Sequence, residues 1–270
     1  MIRLAVRVRR EQAELVLAEL LELAPSGVEE RDDGEVVEYA IYGAPGELPA
    51  LPDLRAAAGG ALVDVSTSEI ADDWHERWRE FHQPVEIGGR VLVRPPWSPA
   101  RPGLLDVVVD PAQAFGTGAH PTTRLCLELL LEVDPPGGAL ADVGCGSGVL
   151  AIAAARLGFD PVVALDHDPE AVRATLDNAA ANGVTVRALR HDLLRDGPAP
   201  GAPTVLANLL RPLLLRVAAD GFGGPAPRTL IASGLLAHEG DEVAEAFARH
   251  GLREVARRGG GDWVALALRR

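Results

Sequence analysis

Asp142-Val143-Gly144-Cys145-Gly146-Ser147-Gly148 places three glycines at alternate positions between an apolar run and a helical one. A strand feeding such a turn lets a ligand approach the backbone and offers it the free N–H groups of the helix that follows. The spacing is G-x-G-x-G, with Val149 where a dinucleotide fingerprint would want its third glycine. Asp166, 22 residues beyond Gly144, closes the next apolar run, where a carboxylate can accept from both hydroxyls of a ribose. His191-Asp192 follows the third run, a place suited to an adenine contact, and Asn208 follows the fourth. The Asn208 amide has one acceptor and two donors, so it could bind a cofactor's polar end, orient an attacking nucleophile, or do both. The plainer readings are a solvated strand end for Asp166 and a helix cap for Asn208. The set taken together favours nucleotide-cofactor binding.

Other chemistries lack their residues. Cys126 and Cys145 lie 19 positions apart with no partner pattern. That excludes a disulfide framework and a cysteine zinc site, and it fits a reducing cytoplasm. The seven histidines include no H-E-x-x-H, and Asp166-His167-Asp168 reads better as a ribose contact plus a helix cap than as a metal site. No metal is expected. No Ser/His/Asp set stands out, and neither cysteine has electropositive sequence neighbours.

The positioning elements follow from periodicity. Leu140–Val143, Val162–Asp166, Thr185–Leu189, Thr204–Ala207 and Thr229–Ala232 read as short strands. Helices are expected at Val149–Leu157, Pro169–Asn182, Leu210–Ala219 and Glu239–His250. Asp168-Pro169 is a helix start and Gly183 a stop. Such alternation predicts an α/β fold, a doubly wound and mostly parallel sheet. Leu252–Arg257, a Gly-Gly-Gly-Asp turn and Trp263–Leu268 form a terminal hairpin, so the last strand must run antiparallel. Upstream, Ile2–Val8 alternates like a strand and Glu11–Leu23 repeats apolar residues such as Leu15, Leu20 and Leu23 at helical spacing. Strands at Gly27–Glu30 and Val36–Tyr42, a weak helix near Asp53–Ala58 and a strand at Ala61–Ser66 complete a small β-α-β-β-α-β, ferredoxin-like order. Trp74 and Trp78 sit at i and i+4 on a short helix, best read as a face docking between domains. Arg94-Pro95-Pro96-Trp97-Ser98-Pro99 reads as an access loop.

With 270 residues, about two domains are expected. No segment reaches the roughly 18 apolar residues of a membrane span, and MIRLAVRVRR lacks the layout of a signal peptide. The net charge is −13, and every cation is arginine. An acidic chain attracts nucleic acid poorly and would attract a basic protein instead. Residues 1–70 carry six Arg against fourteen Asp/Glu, 6 − 14 = −8 in a quarter of the chain.

These residues resemble the class I methyltransferases that use S-adenosylmethionine, whose seventh strand is antiparallel. The segment Asp110-Pro111-Ala112-Gln113-Ala114-Phe115-Gly116-Thr117-Gly118-Ala119-His120-Pro121-Thr122-Thr123 looks like the D-P-G-M-A-F-G-T-G-x-H-x-T-T signature of the ribosomal protein L11 methyltransferase (PrmA) family. Ala112-Gln113 replaces its usual Gly-Met. The resemblance extends through Trp74 and Trp78, the Gly144 loop, Ala207-Asn208-Leu209-Leu210, Ser233-Gly234-Leu235-Leu236 and Asp262-Trp263-Val264. It implies a seven-stranded methyltransferase sheet carrying a small substrate-recognition domain. The expected limits are 1–70 for recognition, 71–98 for a linker and 99–270 for the methyltransferase domain. It puts cofactor contacts on Thr123, Gly144, Asp166 and Asn208, to which Gly146, Phe115 and Asp192 are added as cofactor-side candidates. Asn208 is the catalytic candidate. The implied reaction methylates the N-terminal amine and lysine amines of ribosomal protein L11, with no direct nucleic-acid or membrane partner, in the cytoplasm. In amide and exocyclic-amine methyltransferases the position matching Asn208 begins an N-P-P-Y motif whose aromatic stacks on a planar target. Leu209-Leu210-Arg211 has no aromatic here, which favours flexible aliphatic amines. The alternatives are a methyltransferase of another protein, RNA or a small molecule, and, from another class, a nicotinamide-dependent oxidoreductase or a non-catalytic nucleotide-binding module. The antiparallel last strand and missing third glycine oppose the latter two.

Overall fold

The computed structural model describes residues 2–13, 16–17, 20, 23–24, 28–32, 34–43, 48–69, 82–111, 118–133 and 137–270. Two compact units result, Met1–Phe81 and His82–Arg270.

In the first unit β1 (Ile2–Arg9), β2 (Glu29–Asp32), β3 (Val36–Gly43) and β4 (Leu62–Glu69) form an antiparallel sheet in the order β2-β3-β1-β4. This is the ferredoxin-like arrangement expected from sequence. Strand alternation sends Leu4, Val6, Val8, Val37, Tyr39 and Ile41 into one core with Leu20 and Leu54. The expected helix over 11–23 is helical at its described positions from Ala13 to Leu23, while Arg10–Gln12 forms a 3-10 turn. Leu15 lies outside the described residues. On the other face Arg3 and Arg7 donate to the buried Glu38 carboxylate at 2.5 and 2.6 Å. Those two hydrogen bonds hold it below the usual glutamate range.

The second unit begins earlier than expected. Within the anticipated linker, β5 (Val85–Ile87) and β6 (Val91–Arg94) pair antiparallel, and β7 (Leu105–Val108) adds to β6 in parallel. A Gly88-Gly89 turn at φ 57° and 63° joins the first two, and Ile87, Val91, Leu92 and Val93 are buried. The access loop is tied down at its start. Arg94 donates to both oxygens of Asp106 at 2.7 Å and to the Ser98 carbonyl at 2.5 Å. The tryptophan pair Trp74 and Trp78 lies outside the described residues.

The large sheet contains β8 (Gly138–Val143), β9 (Phe159–Asp166), β10 (Arg187–Arg190), β11 (Thr204–Asn208), β12 (Thr229–Leu236), β13 (Arg253–Gly260) and β14 (Trp263–Arg269). Their order is β10-β9-β8-β11-β12-β14-β13, parallel as far as β12, with β14 antiparallel to both neighbours. Alternate residues of one strand serve two cores: Leu206 enters one, Val205 and Ala207 the other. The chain reverses its winding between β8 and β11. Open α/β sheets bind ligands at such a switch point, beyond the carboxyl ends of the strands. Gly144 and Asn208 are both there.

Candidate functional site

The loop after β8 is built for close approach. Gly144, Gly146 and Gly148 adopt φ of 78°, 52° and 80°, a region where a Cβ is strained. A Cβ on Gly144 would also lie 2.3 Å from Leu209 Cδ2. Gly148 is the N-cap of the helix Val149–Arg156, whose first six residues are buried. The loop is hung from β9: Gly144 and Cys145 donate their amides to the Leu165 carbonyl at 2.8 and 3.0 Å.

Asp166 meets the loop at the end of β9. Gly146 N–H donates to its Oδ2 at 3.0 Å and Asp168 N–H to its Oδ1 at 3.1 Å. The side chain is buried, and its orientation is therefore set from two sides before any ligand arrives. Asp168 caps the next helix by accepting from Glu170 N–H at 2.8 Å. Asp166→Ala is expected to weaken nucleoside-cofactor binding by roughly 1.5–3 kcal/mol, the range for hydrogen bonds to a charged acceptor. Calorimetric titration of the variant checks this; unchanged affinity would remove Asp166 from the site.

The opposite wall pairs Asn208 with Thr123. Asn208 Nδ2 donates to Thr123 Oγ1 at 3.4 Å, and Thr123 is buried in the first turn of the helix Pro121–Leu130. The cap of that helix is His120, which accepts from Thr122 N–H, so Thr123 is not spent as a cap. Asn208 is not a cap either. The helix Arg211–Asp220 has Leu210 at its N-cap and no side-chain cap bond. Asn208 Oδ1 is buried and finds no hydrogen-bond partner among the described residues. A buried amide oxygen without a donor is costly, which marks it as a position awaiting one.

The other candidates divide. Asp192 follows β10 and is engaged in its own turn, accepting from Leu194 N–H at 2.8 Å with Arg195 at 3.5 Å. His191 N–H donates to the Asp166 carbonyl at 2.8 Å, which fixes the start of that turn beside the end of β9. Phe115 lies outside the described residues. Both thiols are buried, and burial pushes their pKa values up, so neither is a nucleophile at neutral pH. No group able to hold a metal ion occurs among the described residues.

Sequence reasoning passed over three contributors. Asn178, buried in the helix Pro169–Ala181, donates to the Ser147 carbonyl at 2.9 Å and accepts from Asp110 N–H at 3.0 Å. One amide thus ties the glycine loop to the start of the signature segment. Asn182 does the same for Val108, accepting from its N–H at 2.8 Å and donating to its carbonyl at 2.6 Å. Two asparagines four apart on one helix face were the only signal. His120 also meets Trp263 edge-on, ring centroids 5.1 Å apart, and its burial lowers its pKa, which favours the neutral imidazole.

Asp142 lies beneath the loop, fully buried. Its Oδ2 accepts from Ala151 N–H at 3.1 Å, and its Oδ1 finds no partner among the described residues. Burial pushes its pKa up to about 7, opposed by the Ala151 hydrogen bond and reinforced by the Asp166 charge. The folded state therefore binds a proton more tightly than the unfolded one. Its stability contribution falls as pH rises from about 4 to about 7. Asp142→Asn, which keeps an acceptor for Ala151, should gain thermal stability relative to wild type as pH increases across that window. Melts at several pH values check it; a constant difference in Tm would contradict the assignment.

The site thus has a carboxylate that could take a ribose on one side of the switch point and, on the other, an amide oxygen with no partner among the described residues. Comparison with known proteins identifies the family. The chain matches the family described as ribosomal protein L11 methyltransferase (PrmA) over residues 1–270. It is 36% identical to the ribosomal protein L11 methyltransferase of Pelotomaculum thermopropionicum, over 98% of this chain and 97% of that one. It is 42% identical to that of Geobacter sulfurreducens, over 81% and 74%. The crystal structure of ribosomal protein L11 methylase from Lactobacillus delbrueckii subsp. bulgaricus superposes with a TM-score of 0.62 at 28% identity, over 70% of this chain and 99% of that one. The whole-length match and the shared sheet place this chain in the ribosomal protein L11 methyltransferase (PrmA) family.

Proposed function

We propose that this chain transfers methyl groups from S-adenosylmethionine to the N-terminal amine and lysine amines of ribosomal protein L11. The observation that carries the reading is the buried Asn208 Oδ1 at the switch point, without a partner among the described residues, opposite an Asp166 already oriented by Gly146. The residues fit the cofactor. Positive-φ glycines let the loop turn sharply after β8, and Asp166 retains lone pairs for two ribose hydroxyls. Asp192 takes the adenine side and Phe115 is assigned to the cofactor from the signature. Thr123 and Asn208 take the amino-acid end. The relatives' names, quoted above, supply the substrate.

S-adenosylmethionine supplies a methyl group already activated on a cationic sulfur, so no Lewis acid is required. What remains for the protein is alignment and the handling of one proton. A neutral amine must bring its lone pair in line with the carbon–sulfur bond, and holding it there is worth several kcal/mol of barrier. Asn208 Oδ1 accepts from an amine N–H and so aims the lone pair away from itself. No stacking aromatic follows: Leu209 is half-buried and Leu210 is 66% exposed. Those leucines suit the methylene stem of a lysine better than a planar base. The acidic first unit receives the basic substrate. No described helix is long and apolar enough to cross a membrane, and we place the reaction in the cytoplasm without a nucleic-acid partner. Two measurements test the reading. Calorimetry should show binding of S-adenosylmethionine and not of a nicotinamide dinucleotide. Peptide mapping of treated L11 should find methyl groups on its α-amine and lysines; methylation confined to other side chains would refute the assignment.

A further inference from the structure

We infer that the Ser233-Gly234 bulge in β12 is a positioning device that aims Asn208; the inference rests on the catalytic reading of Asn208 above. In β11, Asn208 pairs with Ser233, and the next residue, Leu209, donates its amide to the Ser233 carbonyl at 3.0 Å. Gly234 follows at φ 82°. A Cβ there would lie 2.4 Å from the Leu209 carbonyl oxygen, 2.7 Å from its carbonyl carbon and 3.0 Å from its nitrogen. The backbone of Leu209 therefore rests directly on the Gly234 Cα. Its side chain is held on the other flank by the bare Cα of Gly144. Leu209 is gripped between the cofactor loop and β12, and Asn208 is covalently bound to what is gripped.

The bulge itself is anchored. Pairing between β12 and β14 shifts register between Ala232 and Leu235. Across that break the buried Ser233 Oγ donates to the Val264 carbonyl at 2.9 Å, one residue from Trp263. A bulge re-aims a side chain next to an active site at the cost of local pairing. Here the residues that leave the β14 pairing serve β11 on the other side, because only a glycine at 234 leaves space for the Leu209 peptide.

The test is a double-mutant cycle on the full-length protein, assayed for methyl transfer from S-adenosylmethionine to purified L11. Thermal melts establish that each variant is folded. Gly234→Ala should lower kcat by about 100-fold, the loss typical of an ångström-scale misplacement, with little change in KM for L11. In the Asn208→Ala background the same substitution should cost less than about threefold, since a positioning residue has nothing left to position. Losses that multiply in the double variant overturn the inference while leaving the role of Asn208 standing. An Asn208→Ala enzyme with wild-type kcat removes both. Should Gly234→Ala melt below the assay temperature, Ser233→Ala carries the same cycle. It removes the bond to Val264 together with the Ser233 hydrogen bond to the buried Cys126 thiol, and a reduced kcat that vanishes in the Asn208→Ala background supports the inference. A wild-type kcat in Ser233→Ala overturns it.

Discussion

Asn208→Ala is expected to slow methyl transfer by about 100-fold or more while lowering Tm only slightly. The stability cost is small because, among the described residues, the side chain makes a single long bond, 3.4 Å to Thr123, and caps no helix. A neutral hydrogen bond contributes about 0.5–1.5 kcal/mol net, and one at that distance belongs at the low end. Removing the amide also removes the buried Oδ1, which has no partner among the described residues and whose desolvation the folded protein already tolerates. Truncation there relieves part of a penalty instead of creating one. Catalysis has no such compensation, since the aligning acceptor for the amine is gone. Steady-state kinetics beside a thermal melt separate the two effects. A variant that is less stable yet fully active at saturating cofactor would return Asn208 to the scaffold.

Removing the first unit should abolish methylation of L11 and spare cofactor binding. The two units have separate buried cores, with Val6, Leu20, Tyr39 and Leu54 in the first and the switch point wholly within the second. A chain beginning at His82 retains β5 to β14 and every described site residue. It loses residues 1–81, which carry eight Arg against eighteen Asp/Glu, 8 − 18 = −10 of the total charge, and with them the field that would gather a basic protein. Calorimetry should give cofactor affinity within a few-fold of the full chain, while L11 turnover at low substrate falls to background. A truncated chain that melts cooperatively and methylates L11 at the normal rate would assign recognition to the second unit.

The parts of the site legible in the sequence obey local rules. Glycines at alternate positions after an apolar run can only be a turn that tolerates positive φ, and Asp166 follows at a spacing one helix long. The antiparallel end was legible because Gly259-Gly260-Gly261-Asp262 leaves no length for a crossover. What escaped depends on partners distant in the chain. Val85 to Arg94 reads as linker because strands of three and four residues are too short for periodicity to register, although Gly88-Gly89 is a hairpin turn. Thr229–Ala232 was the expected strand, yet β12 runs on to Leu236. Ser-Gly normally marks a break, and only the Leu209 peptide, 24 residues earlier, shows why the strand continues through it. Asn178 and Asn182 look like ordinary polar positions on a helix until Asp110, Val108 and Ser147 are brought against them.

The most direct test of the whole account supplies the intact chain with S-adenosylmethionine carrying a labelled methyl group, purified ribosomal protein L11 and, in parallel, ribosomal RNA. The account predicts label on L11 alone, released by neither RNase nor metal chelation, and lost in Asn208→Ala. Label on RNA with none on L11, or no transfer from a chain shown to bind the cofactor, would contradict it.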